Sequence, residues 1–265
     1  MAPAECVLSQ HNDSVLWLTL NQPERRNPLS SRMIDELSGR LDNAYDDDSV
    51  RVIVITGSGI AFSAGHDLAE IERRERESQS DWEQRIAALL DACANMMANI
   101  ARAPKPVIAC VQGVASAAGC QLVSACDLAI AAHEATFCTP GVNIGAFCTT
   151  PLVGIGRNLS RKHALEMALT GDVFDASDAQ RFGLINHAVS SDQLVAETLA
   201  LAQKIATKSA ESIARGKATF YRQVELTLQD AFDLANQVML ESLTAGGDAT
   251  EGVRAFLEKR QADWQ

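Results

Sequence analysis

Period 2 runs through "SVLWLTL" (14–20): Val15, Trp17 and Thr19 fall on one face and Leu16, Leu18 and Leu20 on the other, predicting a strand. "NQPERRNPLS" follows as a loop rich in turn formers. In "SRMIDELSGRLDNAY" (31–45) the spacing changes, with Met33, Ile34, Leu37 and Leu41 on one helical face. "RVIVIT" (51–56) is short and β-branched, and Gly57 and Gly59 end it. "PVIACV" (106–111) and "DLAIAA" (127–132) predict two further buried strands. Between them "QGVASAAGCQLVSAC" predicts a turn feeding a helix of about ten residues, a crossover that makes the flanking strands parallel.

Beyond about residue 150 the pattern becomes helical. "SRKHALEMALTG" (160–171) is a helix closed by Gly171. Ser190 with Gln193, and Asp248 with Glu251, have the spacing of capping boxes opening two later helices. Strands first and helices after predict an α/β core over residues 1–195 and a helical C-terminal subdomain over 196–265. Such a tail suits a homo-oligomer. The charge-dense stretch 70–85, "EIERRERESQSDWEQR", predicts a solvated, mobile face, with its arginines a lesser candidate for binding.

Composition narrows the function classes. The chain has 265 residues, 47% of them hydrophobic, enough for a sizeable core, and a formal net charge of −11. That acidity argues against nucleic acid and anionic membrane as partners. Seven scattered cysteines without a C-x-x-C pair predict buried free thiols, with no metal site and no disulfide framework. The first twenty residues carry no leader pattern and no apolar run reaches membrane-spanning length, so the expectation is a cytoplasmic protein.

Candidate chemistry lies in two glycine-bearing stretches, "AFSAGHDLAEI" (61–71) and "GVASAAGCQLVSACD" (113–127), each following a strand. Two such turns can aim backbone N–H groups at one carbonyl oxygen and stabilise negative charge developing there. The alternative is that the glycines serve only tight turns. "TGSGIAF" is a poor dinucleotide loop, because its third glycine position falls at Phe62. No G-x-S-x-G elbow occurs. Asp127 reads as a structural ion pair, and His133, His163 and His187 fall in no constellation. His66 is either a group titrating near neutrality or a side chain turned to solvent or to Asp67. Cys120, Cys138 and Cys148 read as packing thiols.

The stretches "LNQPERRNPLS", "VIVITGSGIAFSAGHDL", "PKPVIACVQGVASAAGCQLVSACDLAIA" and "ALTGDVFDASDAQRFGLINHAV" resemble, in order and spacing, the crotonase family, the enoyl-CoA hydratases and isomerases. The resemblance implies a spiral of ββα units with a helical C-terminal region, assembled as a homotrimer or a dimer of trimers. It implies acyl-CoA thioester substrates of fatty acid metabolism and lyase-type chemistry, with coenzyme A entering as part of the substrate and no separate cofactor. The family's oxyanion hole maps onto the backbone amides of His66 and Ala118. Its coenzyme A contacts map onto Arg25, Arg26, Ala64, Asp67 and Leu68. The two glutamates of family hydratases map onto Gln121 and Gly141, and the aspartate of several isomerases and dehalogenases onto Thr149. All three positions lack a carboxylate. Gln121 exchanges hydrogen bonds but removes no proton near neutrality, so ordinary hydration is disfavoured. "FSAGHD" (62–67) resembles methylmalonyl-CoA decarboxylases of the same superfamily, which carry a tyrosine where Cys148 stands. The competing readings are a malonyl-type decarboxylase and a catalytically silent acyl-CoA binder.

Overall fold

The computed structural model describes residues 5–264. The outer ends of the two expected subdomains, residues 1–4 and 265, lie outside the described residues.

The chain opens with an antiparallel hairpin of β1 (Val7–Asn12) and β2 (Val15–Leu20). Its two-residue turn puts Asp13 at φ 51°, the left-handed conformation that tight hairpins demand. Next comes α1 (Ser31–Asp46), capped by the Ser30 side chain, which accepts from Met33 N; Met33, Ile34, Leu37 and Leu41 are buried as their spacing predicts.

Three similar units follow. Each runs from a strand of a large sheet to a short strand of a second sheet and then into helix. The first is β3 (Val52–Gly57), β4 (Ala61–Ser63), α2 (Leu68–Ile71) and α3 (Gln79–Arg102). The second is β5 (Val107–Val111), β6 (Val114–Ser116) and α4 (Ala118–Ala125). The third is β7 (Leu128–Ala132), β8 (Thr136–Cys138), α5 (Pro151–Asn158) and α6 (Arg161–Thr170). Then β9 (Phe174–Asp175), α7 (Ala176–Phe182) and β10 (His187–Val189) complete the sheets. The large sheet has the order β1-β2-β3-β5-β7-β10 and the small one β4-β6-β8-β9. β3, β5 and β7 pair in parallel, as the crossover predicts. This is the ββα spiral in an α/β architecture.

The principal core lies between the sheets and α1, α3 and α4, and includes Leu18, Leu37, Phe62, Met96, Leu122 and Phe137. On the other face of the large sheet, Val15, Val52, Val54 and Ile108 meet Leu194 and Ala202 of α8 (Leu194–Ala206). The expected boundary between residues 195 and 196 falls inside α8. Three more helices follow: α9 (Ala210–Gln223), α10 (Leu228–Thr244) and α11 (Asp248–Glu258). Their apolar side chains are little covered; Leu228, Phe256 and Leu257 are all more than 70% exposed.

α9 is clamped to the core by one ion pair. Lys217 Nζ donates to Asp127 Oδ2 at 2.7 Å and to the carbonyls of Ile100 and Lys105. Tyr221 donates to Asp127 Oδ1, and Val107 N to Oδ2. Burial pulls the Lys217 ammonium pKa down, against the opposing pull of Asp127. The structural reading of Asp127 stands.

Several expectations are corrected. The turn predicted ahead of the helix in 113–127 contains β6, too short at three residues for a period to declare itself. Ser190 bonds the Gln193 side chain, but α8 starts only after Gln193, with no side-chain cap. Asp248 lies inside the first turn of α11, whose cap is Gly247 at φ 74°. The stretch 70–85 is largely exposed as expected, and within it Arg85 is held: it pairs with Glu77 at 2.8 Å and donates to the carbonyls of Glu70 and Glu72. α3 was missed; its buried residues Leu89, Cys93, Met96, Met97 and Ile100 have helical spacing that the charged stretch ahead of them obscured. His163 stacks on Phe182 with ring centroids 3.5 Å apart, an arrangement that sequence spacing does not reveal.

Candidate active site

β4 ends at Ser63, and the chain turns through Ala64–Asp67. Ser63 Oγ accepts from Gly65 N at 3.2 Å, Ala64 N donates to Arg26 O at 2.9 Å, and Leu29 N to Gly65 O at 2.8 Å. Asp67 caps α2 by accepting from Ala69 N and holds the Arg25 guanidinium at 2.7 Å. Leu68 beside it is exposed. Arg25, Arg26, Ala64, Asp67 and Leu68, far apart in sequence, therefore surround one turn.

The second turn leaves β6 at Ser116. Ala117 N donates to Cys138 O at 2.9 Å, and α4 begins at Ala118. Ala117 has φ 49° and ψ −116°, a conformation strained for any residue with a side chain. Glycine adopts it freely. Ala117→Gly is expected to stabilise the fold by about 1 kcal/mol or more, raising Tm by about 2–4 °C. An unchanged or lower Tm by calorimetry would show that Ala117 is relaxed.

The two turns interlock. A methyl on Gly65, at φ 90°, would stand 3.0 Å from Ala117 Cβ and 3.2 Å from Ala118 N. One on Gly119 would stand 2.3 Å from Ser63 O. These close approaches, rather than tight turning alone, require glycine at both places. Among the described backbone bonds outside helices and strands, neither His66 N nor Ala118 N donates to an acceptor. Ala118 opens α4, so its amide has no carbonyl a turn earlier and sits at the positive end of the helix dipole.

Apart from the Arg25–Asp67 pair, the side chains described next are neutral. His66 is directed neither to solvent nor to Asp67: its Nδ1 lies 3.1 Å from Leu29 O, and its Nε2 is enclosed without a partner. Burial lowers its pKa, which favours the neutral imidazole. Gln121 is 6% exposed, with Oε1 enclosed and unpartnered. Thr139 is fully buried and its Oγ1 is likewise unpartnered. Burial raises the pKa of Cys120, Cys138 and Cys148, so all three are protonated packing thiols at neutral pH. Cys138 Sγ donates to Ser116 Oγ at 3.4 Å.

Gly141 lies in a short 3-10 turn, Pro140–Ile144. A methyl there would be 2.3 Å from Ala146 O and 2.8 Å from Cys148 Sγ, so no longer side chain fits this loop. Thr149 is exposed. Sequence reasoning did not single out Thr139 or the backbone of Ala117, because neither an unpartnered hydroxyl nor a dihedral angle leaves a spacing signature.

The ββα spiral finds its place in the sequence comparison: the chain belongs to the enoyl-CoA hydratase/isomerase family, whose profile matches residues 10–265. Among its relatives, the mouse protein named enoyl-CoA hydratase domain-containing protein 3, mitochondrial, is 41% identical over 256 residues, covering 97% of this chain and 83% of the relative. The crystal structure of human enoyl Coenzyme A hydratase domain-containing protein 3 superposes with a TM-score of 0.92 at 39% identity, covering 98% of this chain and 100% of that one. An enoyl-CoA hydratase from Mycobacterium smegmatis gives 0.90 at 42%, covering 98% of each chain. Among the described residues no helix is long and apolar enough to cross a membrane.

Proposed function

We propose that this protein binds acyl-CoA thioesters and stabilises their enolates with a backbone oxyanion hole, and that ordinary enoyl-CoA hydration is not its reaction. The observation that carries the reading is the contact of Gly65 with the Ala117–Ala118 peptide, which brings the His66 turn against the first amide of α4. A thioester oxygen seated there accepts from both amides. As electrons move onto it, the two donors and the helix dipole hold the charge, and each such donor typically contributes about 10²–10³-fold. The coenzyme A portion lies along Arg25, Arg26, Ala64, Asp67 and Leu68.

Hydration needs a base to activate water and an acid to protonate the α-carbon. Gln121, Gly141 and Thr149 supply neither, and each missing group is typically worth about 10²–10⁴-fold. The neutral surroundings favour a second reading, decarboxylation of a malonyl-type thioester. There the C–CO₂ bond breaks, its electron pair becomes the enolate, and a proton from water then completes the product. The match of "FSAGHD" supports it; Cys148, in place of a tyrosine, weighs against it. A silent acyl-CoA binder is the remaining alternative.

Purified protein incubated with crotonyl-CoA, a 3-hydroxyacyl-CoA and a malonyl-type CoA ester, with binding and turnover followed separately, tests this. Binding with little or no crotonyl-CoA hydration is expected. Hydration at the rate of a dedicated hydratase refutes the reading, and absence of any binding refutes the thioester assignment. CO₂ release from the malonyl-type ester alone would select the decarboxylase.

The exposed apolar faces of α9, α10 and α11 support assembly as a homotrimer or a dimer of trimers. Light scattering that gives a monomer at micromolar concentration removes that part. The seven buried free thiols suit a reducing compartment, in our reading the cytoplasm.

A further inference from the structure

The direction of the His66 amide is set from the opposite side of its peptide. Gly65 O accepts from Leu29 N at 2.8 Å. The Gly65–His66 peptide is trans, so its C=O and N–H point in opposite directions. The His66 N–H therefore faces away from Leu29. The register agrees: Leu29 and His66 form a parallel β-bridge, in which the N–H of His66 is not the one turned to the partner segment.

One bond at a carbonyl does not fix a peptide. Gly65, at φ 90°, is the hinge on its N-terminal side, and glycine resists rotation less than any other residue. The imidazole supplies a second tie. His66 Nδ1 lies 3.1 Å from Leu29 O. A carbonyl oxygen has no proton to give, so Nδ1 is the donor, and Nε2, enclosed and unpartnered, is the bare nitrogen of a neutral ring. Leu29 is thus gripped twice, its N–H by the peptide ahead of His66 and its C=O by the His66 ring. Other bonds hold the ends of the turn. Ala64 N donates to Arg26 O at 2.9 Å, Arg25 pairs with Asp67 at 2.7 Å, and Ser31 N and Oγ donate to Glu70 Oε2 at 2.8 and 2.9 Å. The imidazole bond acts at its middle, on the residue whose amide the oxyanion hole uses.

We propose that the His66 side chain is a positioning group for its own backbone amide: by holding Leu29 O it stops the Gly65–His66 peptide from pivoting about Gly65, and so keeps one of the two oxyanion donors aimed. It moves no proton. This rests on the oxyanion-hole reading above and gives the imidazole a task that the reading itself does not.

The test titrates the intact protein with butyryl-CoA isotopically labelled at the thioester carbonyl. Calorimetry reads affinity, and infrared difference spectroscopy reads the carbonyl stretch. In wild type the bound ester's band should lie at lower frequency than the free ester's, because donors drawing on the oxygen weaken the C=O bond. His66→Phe keeps a ring and deletes the donor. It should bind roughly threefold to tenfold more weakly, the factor that one net hydrogen bond provides, and its band should return most of the way to the free position. His66→Asn puts an amide donor where Nδ1 stands and should recover much of both losses. His66→Gln carries its donor one bond further out, in the place of Nε2, and should recover neither; it stands in for the phenylalanine variant if that one does not fold. A merely structural histidine would lower the Tm of His66→Phe and leave the band of the bound ester where wild type has it. That result, or equal recovery by Asn and Gln, overturns the proposal and leaves the oxyanion hole standing. A wild-type band that binding does not displace overturns both, and failure of wild type to bind the ester removes the thioester assignment as well.

Discussion

Gly65→Ala is expected to weaken acyl-CoA binding and any turnover by about 10²-fold or more while the protein still folds. Two effects act together. The residue holds φ 90°, which no side-chain-bearing residue adopts without strain. The new methyl would also press on Ser116 O at 2.8 Å and on Ala118 N at 3.2 Å, forcing the two turns apart. Displacing one donor by about 1 Å is enough to cost roughly 10²-fold in a preorganised site. The strain alone lowers stability by about 1–3 kcal/mol, which a domain of ordinary stability, about 5–15 kcal/mol, survives. Circular dichroism establishes that the variant is folded, and titration with an acyl-CoA reads the effect. Wild-type affinity in a folded Gly65→Ala protein would mean that the separation of these turns does not matter to the ligand.

The second large effect concerns stability. Asp127→Ala is expected to destabilise the protein by about 3–5 kcal/mol, the range found when one partner of a buried ion pair is deleted. Lys217, whose side chain is 8% exposed, would be left facing two carbonyls without a counter-charge. Tyr221 OH and Val107 N would lose their acceptor as well. Since Lys217 and Tyr221 are both on α9, loosening should begin there. Urea denaturation measures the loss. Adding Lys217→Met to Asp127→Ala should recover much of it, because the stranded ammonium is then gone. A loss below about 1 kcal/mol in the single variant would place this pair with surface ion pairs, which contribute little.

Much of the fold was legible. β2, β3, β5, β7, α1 and α6 announced themselves through period, β-branching and a closing glycine, all local signals of adequate length. What stayed hidden was short or non-local. β4, β6 and β8 have three residues each and gain their identity only by pairing with one another. α3 was concealed by the charge of its first turns. In the site, family resemblance is what pointed to the two turns and to the positions read as lacking carboxylates, while the sequence had no means of showing how Gly65 rests on Ala117. The path of His66 toward Leu29 and the unpartnered Thr139 hydroxyl arise from packing between segments, and composition or spacing does not encode them.

The loop around Gly141 bears on engineering. On the mapping that the family resemblance implies, Gln121→Glu changes one atom and barely alters size, so that half of an acid–base pair is within reach of a single codon change. The other half is not: a glutamate at 141 would have to enter space already held by Ala146 O and the Cys148 thiol. A point mutation to glutamate at this position therefore has to move the loop. Anyone wishing to turn this scaffold into a hydratase must transplant the whole span from Thr139 to Cys148.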